Sequence, residues 1–435
     1  MKKLLTIFAV AVIAALCIGI SSSYAGEIDI LLQKLVEKGV LTAGEAQQIG
    51  TETKEQVKAD IAEGKFSSLP AWVQNTKLKG DFRLRYQRDH AQSSSSTTGS
   101  NNRDRARVRV RLGMDSKVNE KLKTGIGIAT GLSDGSTDAA RSTNATLENG
   151  NSKKAIALDY AYAEYSALPW LTLIGGKFKN PMWEPGDLMW DTDINPEGVA
   201  VKFSKKISSK TEVFVNTGAL VIDEINTATR GKDPYILAIQ PGVNFQVSDA
   251  VSLKGASSYF DTINARDLTL DGTAGTNTKN TGLTSLQYQY ETIAPALELS
   301  MKEPLKKLKI DLPYLALFGE YVENLAHDVK IDNTGYMVGC KFGAEKVAKW
   351  ADWQVRYNYS MLGKDAVLDI LPDSDRYGGK TGMRAHEVMI DWGLGANTWL
   401  GFDFYNAWKF PGNFASSSNR TAPTWIYQFD WNMKF

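Results

Sequence analysis

The sequence predicts an all-β fold: a transmembrane barrel of about sixteen antiparallel strands preceded by a short α-helical hairpin. Three observations carry this expectation. Arg103, Arg105, Arg107, Arg109 and Arg111 occupy odd positions while Ala106, Val108, Val110 and Leu112 occupy even ones, a period of two that only a strand sorts onto two faces. A water-soluble sheet has little use for such a row of arginines on one face. A wall that is wet inside and oily outside requires it. Second, no apolar run after Ile20 approaches the roughly twenty residues of a transmembrane helix, and a closed barrel is the other structure that satisfies every backbone group in hydrocarbon. Third, the links between strand-like segments alternate between short and long.

The chain begins with Lys2 and Lys3, then an apolar run from Leu4 to Ile20 and the small-x-small pattern Ser23-Tyr24-Ala25. These predict a secretory signal over 1–25, with a mature chain from Gly26. Leu16 ahead of Cys17 is too large for a lipoprotein cleavage site. Cys340 then stands alone, so no intramolecular disulfide framework exists, and its place between Val338 and Phe342 suits a packing role. The chain has 50 Lys and Arg against 49 Asp and Glu, and losing Lys2 and Lys3 leaves 48 against 49, a net charge of −1. Total charge therefore points to neither nucleic acid nor anionic lipid, and no nucleic-acid partner is expected.

Residues 26–63 have a different period. Ile28, Leu31, Leu32, Leu35 and Val36 follow helical spacing, Gly39 stops that helix, and Thr42-Ala43-Gly44-Glu45 is a capping box that starts a second. Ile49, Thr53, Val57 and Ile61 give the second helix a thin apolar stripe. It suits a spacer, or contacts with the cell wall or with other copies of the chain. Gly64 to Asn75, with Ser67, Ser68 and Pro70, is the expected linker, and 76–435 the barrel.

In order, the predicted strands are 76–88, 103–112, 121–131, 155–166, 170–178, 197–204, 210–219, 235–247, 251–260, 284–300, 312–323, 335–346, 351–361, 385–395, 398–408 and 424–435. The first turns Leu78, Phe82, Leu84 and Tyr86 outward and Lys77, Lys79, Asp81, Arg83 and Arg85 inward. The segment 351–361 alternates Trp353, Val355, Tyr357 and Tyr359 with Asp352, Gln354, Arg356 and Asn358. Links after even-numbered strands are short, such as Ala167-Leu168-Pro169 and Gly395-Ala396-Asn397. After odd-numbered strands they are mostly long and polar, such as 132–154, 179–196, 261–283 and 362–384. Short turns on one rim and long loops on the other put both chain ends on the short-turn side, which is periplasmic in an outer-membrane barrel.

The last strand alternates Trp425, Tyr427, Phe429, Trp431, Met433 and Phe435 with Ile426, Gln428, Asp430, Asn432 and Lys434. Its terminal phenylalanine resembles the assembly signal of outer-membrane barrels. The run Leu69 to Tyr86, the arginine strand and Asp159-Tyr160-Ala161-Tyr162 resemble the putative porin family of Gram-negative bacteria. That resemblance implies an outer-membrane porin, a passive diffusion channel for small hydrophilic solutes and ions. By the same analogy it implies a homotrimer in outer-membrane lipid, with no cofactor and no metal.

The lumen-facing candidates are Arg83, Arg85, Arg105, Arg107 and Arg109, supported by Lys121 and Lys123. The third long loop carries Glu184, Asp187, Asp191 and Asp193, and the resemblance to general porins implies that it folds inward to set acids against the arginine row. Opposed rows would orient dipolar solutes and exclude apolar ones. The blander reading is that arginines keep a wet face polar and loop acids are solvated. Acids at Asp352, Glu387, Asp391, Asp403 and Asp430 argue against a purely anion-selective tube. Two other readings stay open: a plugged structural barrel tethering the outer membrane to the cell wall, and a sheath around an electron-transfer partner.

Catalysis has little support. His90, His327 and His386 lack the spacing of a metal site or a triad, and Gly378-Gly379-Lys380-Thr381 lacks the earlier glycine of a phosphate loop. Asp271 to Asn280 has a composition shared by calcium loops and by surface turns.

Overall fold

The computed structural model describes residues 24–62, 75–91, 101–131, 140–225, 232–410 and 423–435. Most of the expected signal and of the linker 64–75 lies outside them. The chain forms two units, Met1–Asn75 and Thr76–Phe435. In the first, α1 (Tyr24–Glu37) and α2 (Ala43–Ala62) make the hairpin. Gly39 ends α1 at φ +71, a conformation that only glycine adopts without strain. The capping box forms as its sequence implies: the Thr42 backbone N–H donates to Glu45 Oε2 at 2.8 Å, and the Glu45 N–H to Thr42 Oγ1 at 3.3 Å. Leu32 is buried between the helices, whereas Leu31 and Ile49 are exposed.

The second unit is a closed antiparallel barrel. Its strands are β1 (Thr76–Ala91), β2 (Asn101–Lys117), β3 (Leu122–Thr130), a two-residue β4 (Ala145–Thr146), β5 (Ile156–Leu168), β6 (Leu171–Lys177), β7 (Glu197–Lys206) and β8 (Thr211–Val221). They continue as β9 (Tyr235–Ser248), β10 (Val251–Ile263), β11 (Tyr290–Lys302), β12 (Tyr314–Asn324), β13 (Thr334–Gly343), β14 (Trp353–Leu362), β15 (Met383–Gly395), β16 (Thr398–Lys409) and β17 (Thr424–Lys434). Sixteen of them are full wall strands, each overlapping one that the alternation predicts. Each pairs with its neighbour, and β17 returns to β1 from Asp81↔Lys434 to Ala91↔Thr424, so no strand edge is left unpaired against lipid. The fragment β4 extends the wall where β3 stops, pairing Arg107↔Thr146 and Val108↔Ala145.

Outward positions carry the exposed apolar side chains: Leu78, Leu84, Leu112, Ile126, Leu237, Ile239, Leu317, Phe429 and Trp431 among others. Among the described residues, no helix is long and apolar enough to cross a membrane. The link lengths alternate as expected except at one place. The 303–313 link on the short-turn rim, with its 3-10 turn Lys306–Leu308, is longer than the 325–333 loop opposite.

Inside, the wall has two halves of different chemistry. Along β6 to β13 many inward positions are apolar, among them Ile174, Ala200, Leu220, Ile236, Phe260, Phe318, Val322 and Met337. Three long loops cover them: the third (178–196), the fifth (264–289) and the seventh (363–382), with Leu188, Leu286, Ala366, Val367 and Leu368 almost fully buried. Along β17, β1 and β2 the inward face keeps its charge. The loops therefore meet an apolar wall on one side and a charged one on the other, where Arg85, Arg107 and Arg109 are themselves buried.

Candidate functional site in the lumen

The β1 to β2 register sets Arg83 opposite Arg109 and Arg85 opposite Arg107. Like charges directly across a ladder cost roughly 0.2–1 kcal/mol each, so a wall that repeats the arrangement must offset it elsewhere. It does so with carboxylates from three directions. Arg85 grips Asp430 of β17 with two parallel bonds of 2.8 Å, and its Nη1 donates to Asp375 of the seventh loop at 2.9 Å. Arg83 donates to Asn432 at 2.9 Å and lies 3.3 Å from Asp430. Arg105 pairs with Asp89 at 2.6 Å, while Arg109 and Arg111 share Asp81 at 2.9 and 2.7 Å. Arg107 has no carboxylate within 4.0 Å among the described residues; Gln87 Oε1, Ser142 Oγ and the Asn144 carbonyl take its N–H groups.

The remaining expected residues fall as follows. Lys123 is on the inward face of β3, 3.3 Å from Glu164, near the short-turn rim. Lys121 lies in the turn between β2 and β3 rather than on a strand, and is exposed. Of the third-loop acids, Asp193 alone meets the arginine face, 3.2 Å from Arg111, and it also accepts from Thr143 Oγ1 at 3.1 Å. Asp187 pairs instead with Arg376 of the seventh loop at 2.7 Å. Burial works against its ionisation, but Arg376 and Arg356 hold its carboxyl below the usual range. Asp191 accepts the N–H of Asp193 at 2.8 Å and of Ser374 at 2.9 Å. Burial, and then Asp193, push its carboxyl up to about 8. Glu184 is turned toward Glu320 of β12, with one oxygen buried and unpartnered, and burial raises it well above the carboxylate range.

Two clamps fix the third loop. Glu320 accepts the backbone N–H of both Gly186 and Leu188, and Gln240 of β9 accepts from Trp183 N at 2.7 Å while donating to Trp183 O at 2.9 Å.

The seventh loop is the part that sequence reasoning missed. Arg376, 1% exposed, joins it to the third loop through Asp187 and to β15 through Glu387 at 2.6 Å. Asp369 accepts the N–H of Asn277 at 3.0 Å, and Asp365 that of Thr278 at 2.8 Å, which ties in the fifth loop. The segment Asp271 to Asn280 thus spends much of its polarity on loop contacts. Arg141, from the second loop (131–155), donates to the carbonyls of Asp369, Pro372 and Gly379 at 3.0–3.3 Å. A Cβ on Gly379 would overlap that guanidinium, so the glycine at 379 makes room for an arginine. The one available signal was the alternation of charge in Asp373-Ser374-Asp375-Arg376.

Among the described residues no cluster could hold a metal ion. His386 faces outward among Tyr357, Tyr359 and Trp408, and His90 stacks on Trp425 at 5.0 Å, so neither stands with an acid and a nucleophile.

The model of a family described as "Putative porin" matches residues 45–101, 90–298 and 277–435. No curated protein matches the chain. Among solved structures, OprB of Pseudomonas putida aligns over 83% of this chain and 94% of its own, at 10% identity and a TM-score of 0.52. The outer membrane channel DcaP of Acinetobacter baumannii covers the same share of this chain and 97% of its own, at 12% identity and a TM-score of 0.45. At these identities the OprB match speaks for the barrel fold alone.

Proposed function

The chain belongs to the putative porin family, whose fold is that of outer-membrane channels, and from the lumen described above we propose that it is a passive porin for small hydrophilic solutes and ions. The observation that carries this reading is the charged inward face of β17, β1 and β2, where Arg83, Arg85, Arg105, Arg109 and Arg111 meet carboxylates of the wall and of the third and seventh loops instead of apolar side chains. A barrel built only as an anchor has no need to offset the cost of repeated arginine pairs.

In this reading the narrowest point lies where Asp375 meets Arg85 and Asp193 meets Arg111. Acids from two loops and from Asp430 stand against the arginine row, so the field across the passage is set by mixed contacts rather than by one acidic loop facing one basic wall. Solutes move down their gradients without energy, cofactor or catalysis. The mature chain starts after the signal, the helices stand in the periplasm as a spacer, and copies associate as trimers in the outer membrane.

The plugged structural barrel is the second reading, favoured by the interlocking of the third, fifth and seventh loops around Leu188 and Val367. Planar-bilayer recording separates the two. A steady current whose reversal potential in a salt gradient moves toward cations when Arg83 and Arg111 become glutamine supports the porin. Absence of current from folded protein supports the plug.

A further inference from the structure

We infer that the lumen wall at β13 and β14 carries a binding site for an anionic solute group, a carboxylate or a phosphate, built from Lys341 and Arg356. It rests on the channel reading above and names a solute class for it.

Lys341 and Arg356 face the lumen from β13 and β14, as Lys254 does from β10, and each is seated on an aromatic ring. The Lys254 amine lies 4.6 Å from the ring centre of Trp183, in the third loop, and 5.4 Å from that of Phe214. Lys341 lies 5.2 Å from Tyr314, and the Arg356 guanidinium 5.0 Å from Phe318. None has a carboxylate within 4.0 Å among the described residues. Lys341 and Arg356 are direct cross-strand partners, so two like charges stand side by side.

The choice of partner is informative. Glu298 stands opposite Lys254 in the ladder, yet the lysine leans to the rings instead of closing an ion pair. Cations that merely keep a wet wall polar would take the carboxylate within reach. A cation on a ring keeps its charge and most of its N–H donors, because the ring attracts it through its quadrupole and occupies few of them. Arg356 Nε is buried with no partner, and its Nη2 reaches only the Pro185 carbonyl at 3.4 Å.

The acids around them are Glu320, held by two backbone N–H groups of the third loop, Asp187, paired with Arg376, Glu298, which takes the Ser300 hydroxyl, and Glu345 and Glu212, which stand by Lys341 and Lys254 without an ion pair. Trp183 itself is fixed at its backbone by Gln240. Donors left free on a rigid wall match a multivalent oxyanion, with Lys341 and Arg356, side by side across β13 and β14, giving a two-point contact.

The test uses the full-length protein folded in detergent, titrated calorimetrically with inorganic phosphate and, separately, with citrate, and in parallel recorded in planar bilayers. The expected result is saturable binding that the double variant Lys341→Gln, Arg356→Gln weakens by about tenfold or more, the loss of one or two charge-assisted bonds. In bilayers the same anions should reduce the chloride current of the parent and not of the variant. A preference for citrate over phosphate would assign the site to carboxylates, and the reverse to phosphates. Equal binding by parent and variant, or none by the parent, overturns the site. If calorimetry shows the variant's loss while the parent passes no current, the porin reading fails and the anion site stands.

Discussion

Replacing Arg376 with methionine should release the loops that line the lumen. Its guanidinium bonds the Asp187 and Glu387 carboxylates at 2.7 and 2.6 Å and the Asp187 carbonyl at 3.2 Å, all in a place closed to water. Methionine fills much of the volume but leaves two buried carboxylates, with Asn358 the remaining donor to Glu387 at 2.7 Å. Breaking a buried pair by removing one partner costs about 3–5 kcal/mol, which is roughly two to three orders of magnitude in the balance between docked and undocked loops. The wall ladder is untouched, so the barrel itself should fold. Hydrogen exchange over 363–382 should accelerate by a comparable factor, and open-channel current should become noisier as the loops visit the lumen. Removing the charges together, with Arg376→Met, Asp187→Asn and Glu387→Gln, should restore most of the protection. Unchanged exchange and noise in a single variant whose strand content is intact would refute the claim that this arginine holds the loops.

Three further outcomes follow from the same contacts. Asp375→Asn leaves Arg85 its two bonds to Asp430 but removes a carboxylate from the passage, so the reversal potential should shift toward anions with little change in stability. Asp191 is held up to about 8 by burial and Asp193, so its neutral form favours the docked loops: that contribution is full below about pH 4 and is lost as pH rises through about 8. Current noise should therefore grow between about pH 4 and about 8, and Asp191→Asn should flatten that dependence. Gly379→Val combines a left-handed φ of +71 with a Cβ that overlaps the Arg141 guanidinium, and should free the second loop from the seventh at a cost of about 1–3 kcal/mol, read as protease sensitivity near Arg141.

Much of the wall was legible because lipid enforces the pattern. A side chain on the outer face has one environment along the whole strand, so Leu78 to Tyr86 and Trp425 to Phe435 alternate, with Gly80 outward and Ile426 inward as the departures. The alternate residues Arg83, Arg85, Arg105, Arg109 and Arg111 of the same strands turn to the other face and meet carboxylates there. The segment 284–300 was not legible: the strand begins at Tyr290, and the residues ahead of it belong to the fifth loop, whose buried Leu286 imitates a strand's apolar position.

The partners of the arginines were illegible because they come from far along the chain. Nothing near Arg85 announces Asp375 or Asp430, which reach it through barrel closure and through a loop folded back inside. The third loop was expected to bring four acids to the arginine wall, but only Asp193 reaches it; the inner surface of a barrel whose loops fold inward has two solvents, and the expectation assumed one. Where the loops pack, the inner wall becomes apolar and an acid such as Glu184 is drawn into a protein core. Along β17, β1 and β2, where the loops bring Asp193 and Asp375 to it, the wall stays charged. The inward residues of β6 to β13 already record this change, in Ile174, Phe260, Phe318 and Val322 set where a simple water-filled tube would carry polar groups. An apolar inward face opposite a charged one is thus a sign, carried by the amino-acid pattern of the strands themselves, that loops lie against that side of the lumen.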